Sequence, residues 1–220
     1  MDFETEEQQL EAIKKWWKEN SNMIIGGIAV GVSAIFGWQY YQDTSLVHSE
    51  EASVIYEQVV NNVQSPSSAN DQMKRVNTLQ AEYSDTPYAG LASLLLAKQQ
   101  MATGEFTKAQ QQFEWLANNA KQEELKYLAK IRMARLLMTI QELDKAISIL
   151  EESYPQSFKS MVFELKGDAF VLKGEKAQAK SSYQQALQLS ESPNRWLQNK
   201  IDDLGEVSIT TSADATEPSA

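Results

Sequence analysis

Between Met23 and Trp38 the chain reads MIIGGIAVGVSAIFGW, its only long run without a charged residue. Three structures accommodate such a run: a membrane-spanning helix, the apolar core of a cleaved signal peptide, or a helix buried in a soluble core. As a helix it covers roughly 24 Å at 1.5 Å per residue, slightly less than a hydrocarbon core of ~30 Å. Adding Asn22 and Gln39 to Tyr41 extends it to about 20 residues, enough to span. Trp16 and Trp17 precede the run, and Trp38, Tyr40 and Tyr41 close it, where amphipathic rings favour a headgroup region.

The flanks give a direction. Lys14, Lys15 and Lys18 lie before the run, and no Lys or Arg follows it until Lys74. The positive-inside rule then expects a cytosolic N-terminus and a C-terminal domain on the other side of the membrane. A signal peptide needs small residues just after its apolar core. Phe36, Gly37, Trp38, Gln39, Tyr40 and Tyr41 stand there instead, which favours an uncleaved anchor. Gly27 and Gly31 form a G-x-x-x-G pair, and Ser33 and Gly37 repeat the spacing. Small residues four apart allow a second helix to approach closely, although glycine is common in membrane helices generally. Before the span, Leu10, Ile13, Trp16 and Trp17 recur at helical spacing among lysines and glutamates. This pattern expects a short amphipathic helix on membrane lipid or against a cytosolic partner.

The net charge of -10 falls mostly after residue 21, and an acidic domain repels phosphate backbones, so nucleic acid is not an expected partner. Cysteine is absent, which excludes thiol catalysis, disulfides and cysteine-ligated zinc. Hydrophobic residues make up 42%, enough to build a core in the remaining chain.

From Ser49 onward the pattern is helical. Ala52, Ile55, Tyr56, Val59, Val60 and Val63 follow one helical face. Ser65-Pro66-Ser67-Ser68 breaks it, and Asn70 or Asp71 is placed to cap a second helix through Tyr83. Thr86-Pro87 then makes a helix start. Three stretches follow with one grammar: an Ala/Leu-rich helix, a tight turn, and a second helix with Ala near its start and an aromatic or Leu four residues on. The turns fall at Gly104, Gln141 and Gly174, and the second helices carry Ala109-Phe113, Ala146-Leu150 and Ala179-Tyr183. Offsets of 37 and 33 residues between those alanines approach the period of about 34 of the tetratricopeptide repeat, which these units resemble. Phe163, Gly167, Phe170, Gly174, Ala179, Tyr183 and Ala186 match that motif in the third unit. There are departures: Lys166 stands for a usual leucine, Gln100 for a usual aromatic, and Gln141 for a turn glycine. Leu197, Ile201 and Leu204 predict a short closing helix.

The expected fold is therefore all-α, a single N-terminal transmembrane helix followed by a tetratricopeptide-like α-solenoid. Its segments are a stub over 1–21, an anchor over 22–41, a repeat domain over 42–204 and a disordered tail over 205–220.

Catalytic chemistry is not evident. The single histidine, His48, cannot make a zinc site alone and reads as a juxtamembrane surface residue, and Asp202-Asp203, Glu123-Glu124 and Glu151-Glu152 read as solvated charges. Nucleophile elbows, phosphate loops and H-E-x-x-H motifs are missing. The chain is expected to be no enzyme and to need no cofactor or metal. Repeat stacks instead offer a concave surface lined by the first helix of each pair. On the repeat register that surface receives Leu91, Leu94, Lys98 and Met101, then Leu128, Ile131, Arg135 and Met138, then Met161, Glu164, Asp168 and Val171. Each of these has a second reading as core, and both stay open on sequence grounds.

Three blocks, Glu11–Asn20 (EAIKKWWKEN), the glycine-rich span ending Gly37-Trp38-Gln39-Tyr40, and Tyr88 to Leu94, together with the third repeat, resemble the YfgM family of bacterial inner-membrane proteins. The resemblance covers residues 6–204. It implies a single-pass protein of the inner membrane with a periplasmic repeat domain, associated with the SecYEG translocon and with the membrane-anchored peptidyl-prolyl isomerase-type chaperone PpiD. The implied role is assistance to translocated client proteins, without catalytic residues. The alternative is a structural scaffold for envelope machinery, such as pilus or outer-membrane assembly; an enzyme with an unrecognised site is a weaker third.

Overall fold

The computed structural model describes residues 6–61, 69–190 and 192–205. Among them the structure is helical throughout, with nine helices and no strand. The chain divides into two compact units, Met1–Glu51 and Ala52–Ala220.

The first helix, α1, runs from Glu6 to Asn61 without interruption. The stub, the apolar span and the segment from Ser49, which the sequence pattern separates, are thus parts of one helix. No proline occurs in it, and Gly26, Gly27, Gly31 and Gly37 sit inside it although each costs about 1 kcal/mol relative to alanine. In a hydrocarbon environment that cost would be offset, because the backbone there has no hydrogen-bond partner other than itself. The helix is long and apolar enough to cross a membrane, and none of its most apolar window is buried in the protein. The buried-core alternative therefore does not hold. Ile25, Ile28, Val30, Ile35 and Phe36 are all exposed to the surroundings.

In the second unit, the last turns of α1 pack with α2 (Ala69–Glu82) and with α3 (Pro87–Ala102), around Ala52, Val59, Val76, Leu79, Ala89, Ala92 and Leu96. Asn70 and Asp71, expected to cap α2, instead lie within its first turn. Thr86 is extended and precedes Pro87, the first residue of α3, as that dipeptide dictates. Three helix pairs follow: α3 with α4 (Phe106–Asn119), α5 (Glu123–Thr139) with α6 (Leu143–Leu150), and α7 (Gln156–Lys173) with α8 (Lys176–Gln188). Helix α9 (Arg195–Asp203) closes the stack, capped by Asn194, whose Oδ1 accepts from the Leu197 N–H at 3.2 Å. Leu197 and Ile201 are buried as the pattern expects. The tail from residue 206, and the break at 65–68, lie outside the described residues.

One turn is used three times. Gly104, Gln141 and Gly174 have φ of 77°, 63° and 80°. In each, the next residue's N–H reaches the carbonyl five residues back: Glu105 to Gln100, Glu142 to Leu137, Glu175 to Phe170, at 2.7, 2.8 and 2.9 Å. This is the Schellman arrangement, which satisfies carbonyls left over at the helix end. Each following Glu then begins the second helix, accepting from the N–H of Ala109, Ala146 or Ala179. Those alanines are fully buried, so the paired helices cross closely there. Gly167 belongs to the same design. A β-carbon built on it would lie 2.9 Å from Tyr183 Cζ and closer still to two other ring carbons.

Candidate interaction surface

The three first helices lie side by side, α3 against α5 and α5 against α7. This puts the twelve residues of the expected groove on three neighbouring helices, in several different environments. Leu91, Lys98, Arg135, Met161 and Val171 are exposed. Leu94, Met101 and Met138 are half-buried and rest against core clusters, and Leu128 is also half-buried. Ile131 is a core residue, 1% exposed, packed with Ala134, Leu137 and Leu165. Arg135, Met138 and Asp168 come together, with Leu165 and Leu172, around an open depression of about 520 Å³ between α5 and α7. A cation, an adaptable thioether, a carboxylate and two leucines converge there, a mixture suited to a peptide segment with both polar and apolar side chains.

Glu164 and Asp168 do not stand free. Lys200 on α9 donates to both, at 2.8 Å each, and Tyr183 donates its hydroxyl to Asp168 Oδ1 at 2.7 Å. The Lys200 ammonium also stands 5.3 Å from the centre of the Tyr183 ring and 5.7 Å from that of Trp196, within cation–π range. Burial lowers the Lys200 pKa, but the hydrogen bonds to Asp168 and Glu164 outweigh it, and the net direction is upward. Burial first, then the bond to Asp168, pushes the Tyr183 phenol well above its ordinary range. Lys200 and Trp196 escape a reading of the repeat grammar, because Lys200 lies 36 and 32 positions from the carboxylates it holds. Lys166, in a leucine position, likewise finds a partner at the rim, donating to Glu151 at 2.7 Å.

Gly27, Gly31 and Gly37 on α1 have, among the described residues, nothing beyond α1 itself within 4 Å of where a β-carbon would be. Ser33 is exposed with them. Among the described residues, no group of three or more His, Cys, Asp and Glu side chains is arranged to hold a metal ion.

Comparison with known proteins extends this picture. A tetratricopeptide repeat-like domain model matches residues 14–206. The chain is 33% identical over 185 residues to a Haemophilus influenzae protein named ancillary SecYEG translocon subunit, covering 83% of this chain and 89% of that one. A protein of the same name from Escherichia coli K12 is 29% identical over 204 residues, covering 92% and 98%. One from Neisseria gonorrhoeae is 24% identical over 202 residues, covering 90% and 97%. No solved structure matches the chain.

Proposed function

The chain belongs to the family of ancillary SecYEG translocon subunits with a tetratricopeptide repeat-like domain, and on that premise we propose that it is a non-enzymatic membrane adaptor. Its α1 span anchors it in the bacterial inner membrane beside the SecYEG channel, with the N-terminus cytosolic and the repeat domain periplasmic. The repeat stack holds a membrane-anchored chaperone of the peptidyl-prolyl isomerase class, or the translocated chain itself. The observation that carries this reading is the joining of one unburied apolar helix to a stack of helix pairs, in relatives whose name states the translocon. The one-sided lysines support the direction, and Gly27, Gly31, Ser33 and Gly37 supply a face on which a translocon helix can pack.

Extraction of the tagged full chain in mild detergent tests it. SecYEG subunits are expected to co-purify, and their absence, or recovery of an envelope-assembly complex in their place, overturns the reading. Photo-crosslinkers at Met101, Met138 and Met161 separate the two repeat-stack roles. One defined product marks a dedicated partner, and a ladder of products marks varied clients.

A further inference from the structure

The position five residues before each turn glutamate is a core position. In the second and third units it holds Leu137, 2% exposed, and Phe170, which packs on the cluster around Tyr183. In the first unit it holds Gln100, only 4% exposed, and neither its Oε1 nor its Nε2 has a hydrogen-bond partner among the described residues. The residue before it repeats the anomaly. Leu136 and Ala169 are fully buried, whereas Gln99 presents a buried Oε1 that is also unpaired. Facing them from α2, Gln72 is fully buried with an unpaired Oε1, and its Nε2 reaches the Val59 carbonyl only at 3.5 Å.

These three carboxamides line one cavity of about 190 Å³ between α2, α3 and α4, together with Asn70, Met73 and Thr103 and with Glu105 and Lys108, whose charges are paired with each other. The backbone at this end of α3 is not what lacks partners, since the Gln100 carbonyl accepts from Glu105 N–H and Thr103 Oγ1. The deficit belongs to the side chains. Burying an unpaired amide is costly, and the sister repeats show that leucine, phenylalanine and alanine serve the packing. Carboxamides offer a donor and an acceptor without charge, which complements a group that has one of each. A peptide unit is such a group, and the cavity is large enough for one.

We propose that the cavity between α2, α3 and α4 is a recognition pocket for the peptide group of a bound polypeptide, with Gln72, Gln99 and Gln100 pairing its N–H and C=O. Recognition of this kind is independent of the bound segment's side chains. Assigning the polypeptide to a chain held by the repeat stack rests on the function proposed above; the chemistry of the pocket does not.

The test uses the full chain in detergent micelles, ¹⁵N-labelled, with N-acetylglycine N-methylamide as the probe, titrated through the millimolar range. The side-chain amide resonances of Gln72 and Gln100 are expected to shift together and saturably. Gln100→Met, which keeps the volume and removes the amide, is expected to weaken binding at least tenfold while its thermal midpoint holds or rises. Gln72→Met repeats the comparison from the opposite wall. Absence of a saturable shift, meaning a cavity that only holds water, overturns the proposal, as does unchanged binding in both variants. Co-purification of Gln100→Met with SecYEG is read separately, so the pocket can fail without the adaptor reading failing, and the reverse.

Discussion

The ring of Tyr183 on α8 fills the space that a side chain on Gly167 of α7 would occupy, and its hydroxyl is tied to Asp168, the next residue. The ring is therefore held at both its edge and its tip. Gly167→Ala is expected to destabilise the repeat domain by about 1–3 kcal/mol, the usual cost of overpacking a closed site. Gly90→Ala makes the comparison, since the atoms it meets are the Cδ1 ends of Leu125 and Leu116, which can turn aside. Urea unfolding of both variants should show the larger loss at Gly167.

The second turn is strained where the first and third are not. Gln141 adopts φ of 63°, a left-handed conformation that costs a residue with a β-carbon about 1–2 kcal/mol. Gln141→Gly is expected to stabilise the domain by about 0.5–1 kcal/mol, allowing for glycine's greater freedom when unfolded. Gly174→Gln is expected to lose a similar amount, both read as shifts in the urea midpoint.

Lys200 couples the closing helix to α7, and its pKa is raised in the folded state. A raised lysine contributes stability that is complete below its unfolded value of about 10.4 and is lost as pH rises through the higher folded value. Alkaline titration should therefore loosen α9 above about pH 10, seen as a change in Trp196 emission, since that ring lies beside the ammonium. Lys200→Met should shrink this alkaline step, and what remains belongs to Tyr183, whose raised phenol loses stability over the same range. The substitution should also lower stability at neutral pH by about 1–2 kcal/mol, because Glu164 and Asp168 lose their common cation.

Bulk on the small-residue face of α1 should separate anchoring from folding. Gly27→Ile with Gly31→Ile is expected to reduce SecYEG co-purification several-fold and leave the melting temperature of the repeat domain unchanged, because among the described residues nothing beyond α1 itself lies within 4 Å of a β-carbon at either position. Equal co-purification would place the translocon contact elsewhere.

Direction across the membrane can be read without removing native thiols, because the chain has no cysteine. Ser45→Cys in intact cells with a permeabilised outer membrane is expected to react with an impermeant maleimide. Glu11→Cys should react only after the inner membrane is broken.

The helix pairs were legible because each unit keeps a buried alanine at the crossing and a left-handed turn before it, features with a fixed spacing. Gln141 shows the limit of that reading, since the backbone takes the glycine conformation without the glycine. The continuity of α1 was less visible. The passage from lysine-flanked stub to apolar span to acidic segment is a change of surroundings, and no residue between Glu6 and Asn61 obliges the backbone to break. The groove was legible only as a set of helices. Placing Ile131 in the core and Arg135 on the surface depends on how α5 is rotated about its axis, which repeat spacing leaves loose. Lys200 was illegible, since an ion pair joining α9 to α7 leaves no local pattern in the chain.

The core of the repeat domain is divided into small clusters, each drawn from helices that are neighbours in the chain. Contacts of that range close quickly and do not wait for distant partners. During synthesis, residues 52–61 can settle against α2 and α3 while the later pairs are still being made, so little apolar surface is uncovered at any moment. The clasp at Lys200 forms last, together with the packing of Leu197 and Ile201, so α9 locks the stack after every helix pair has been made.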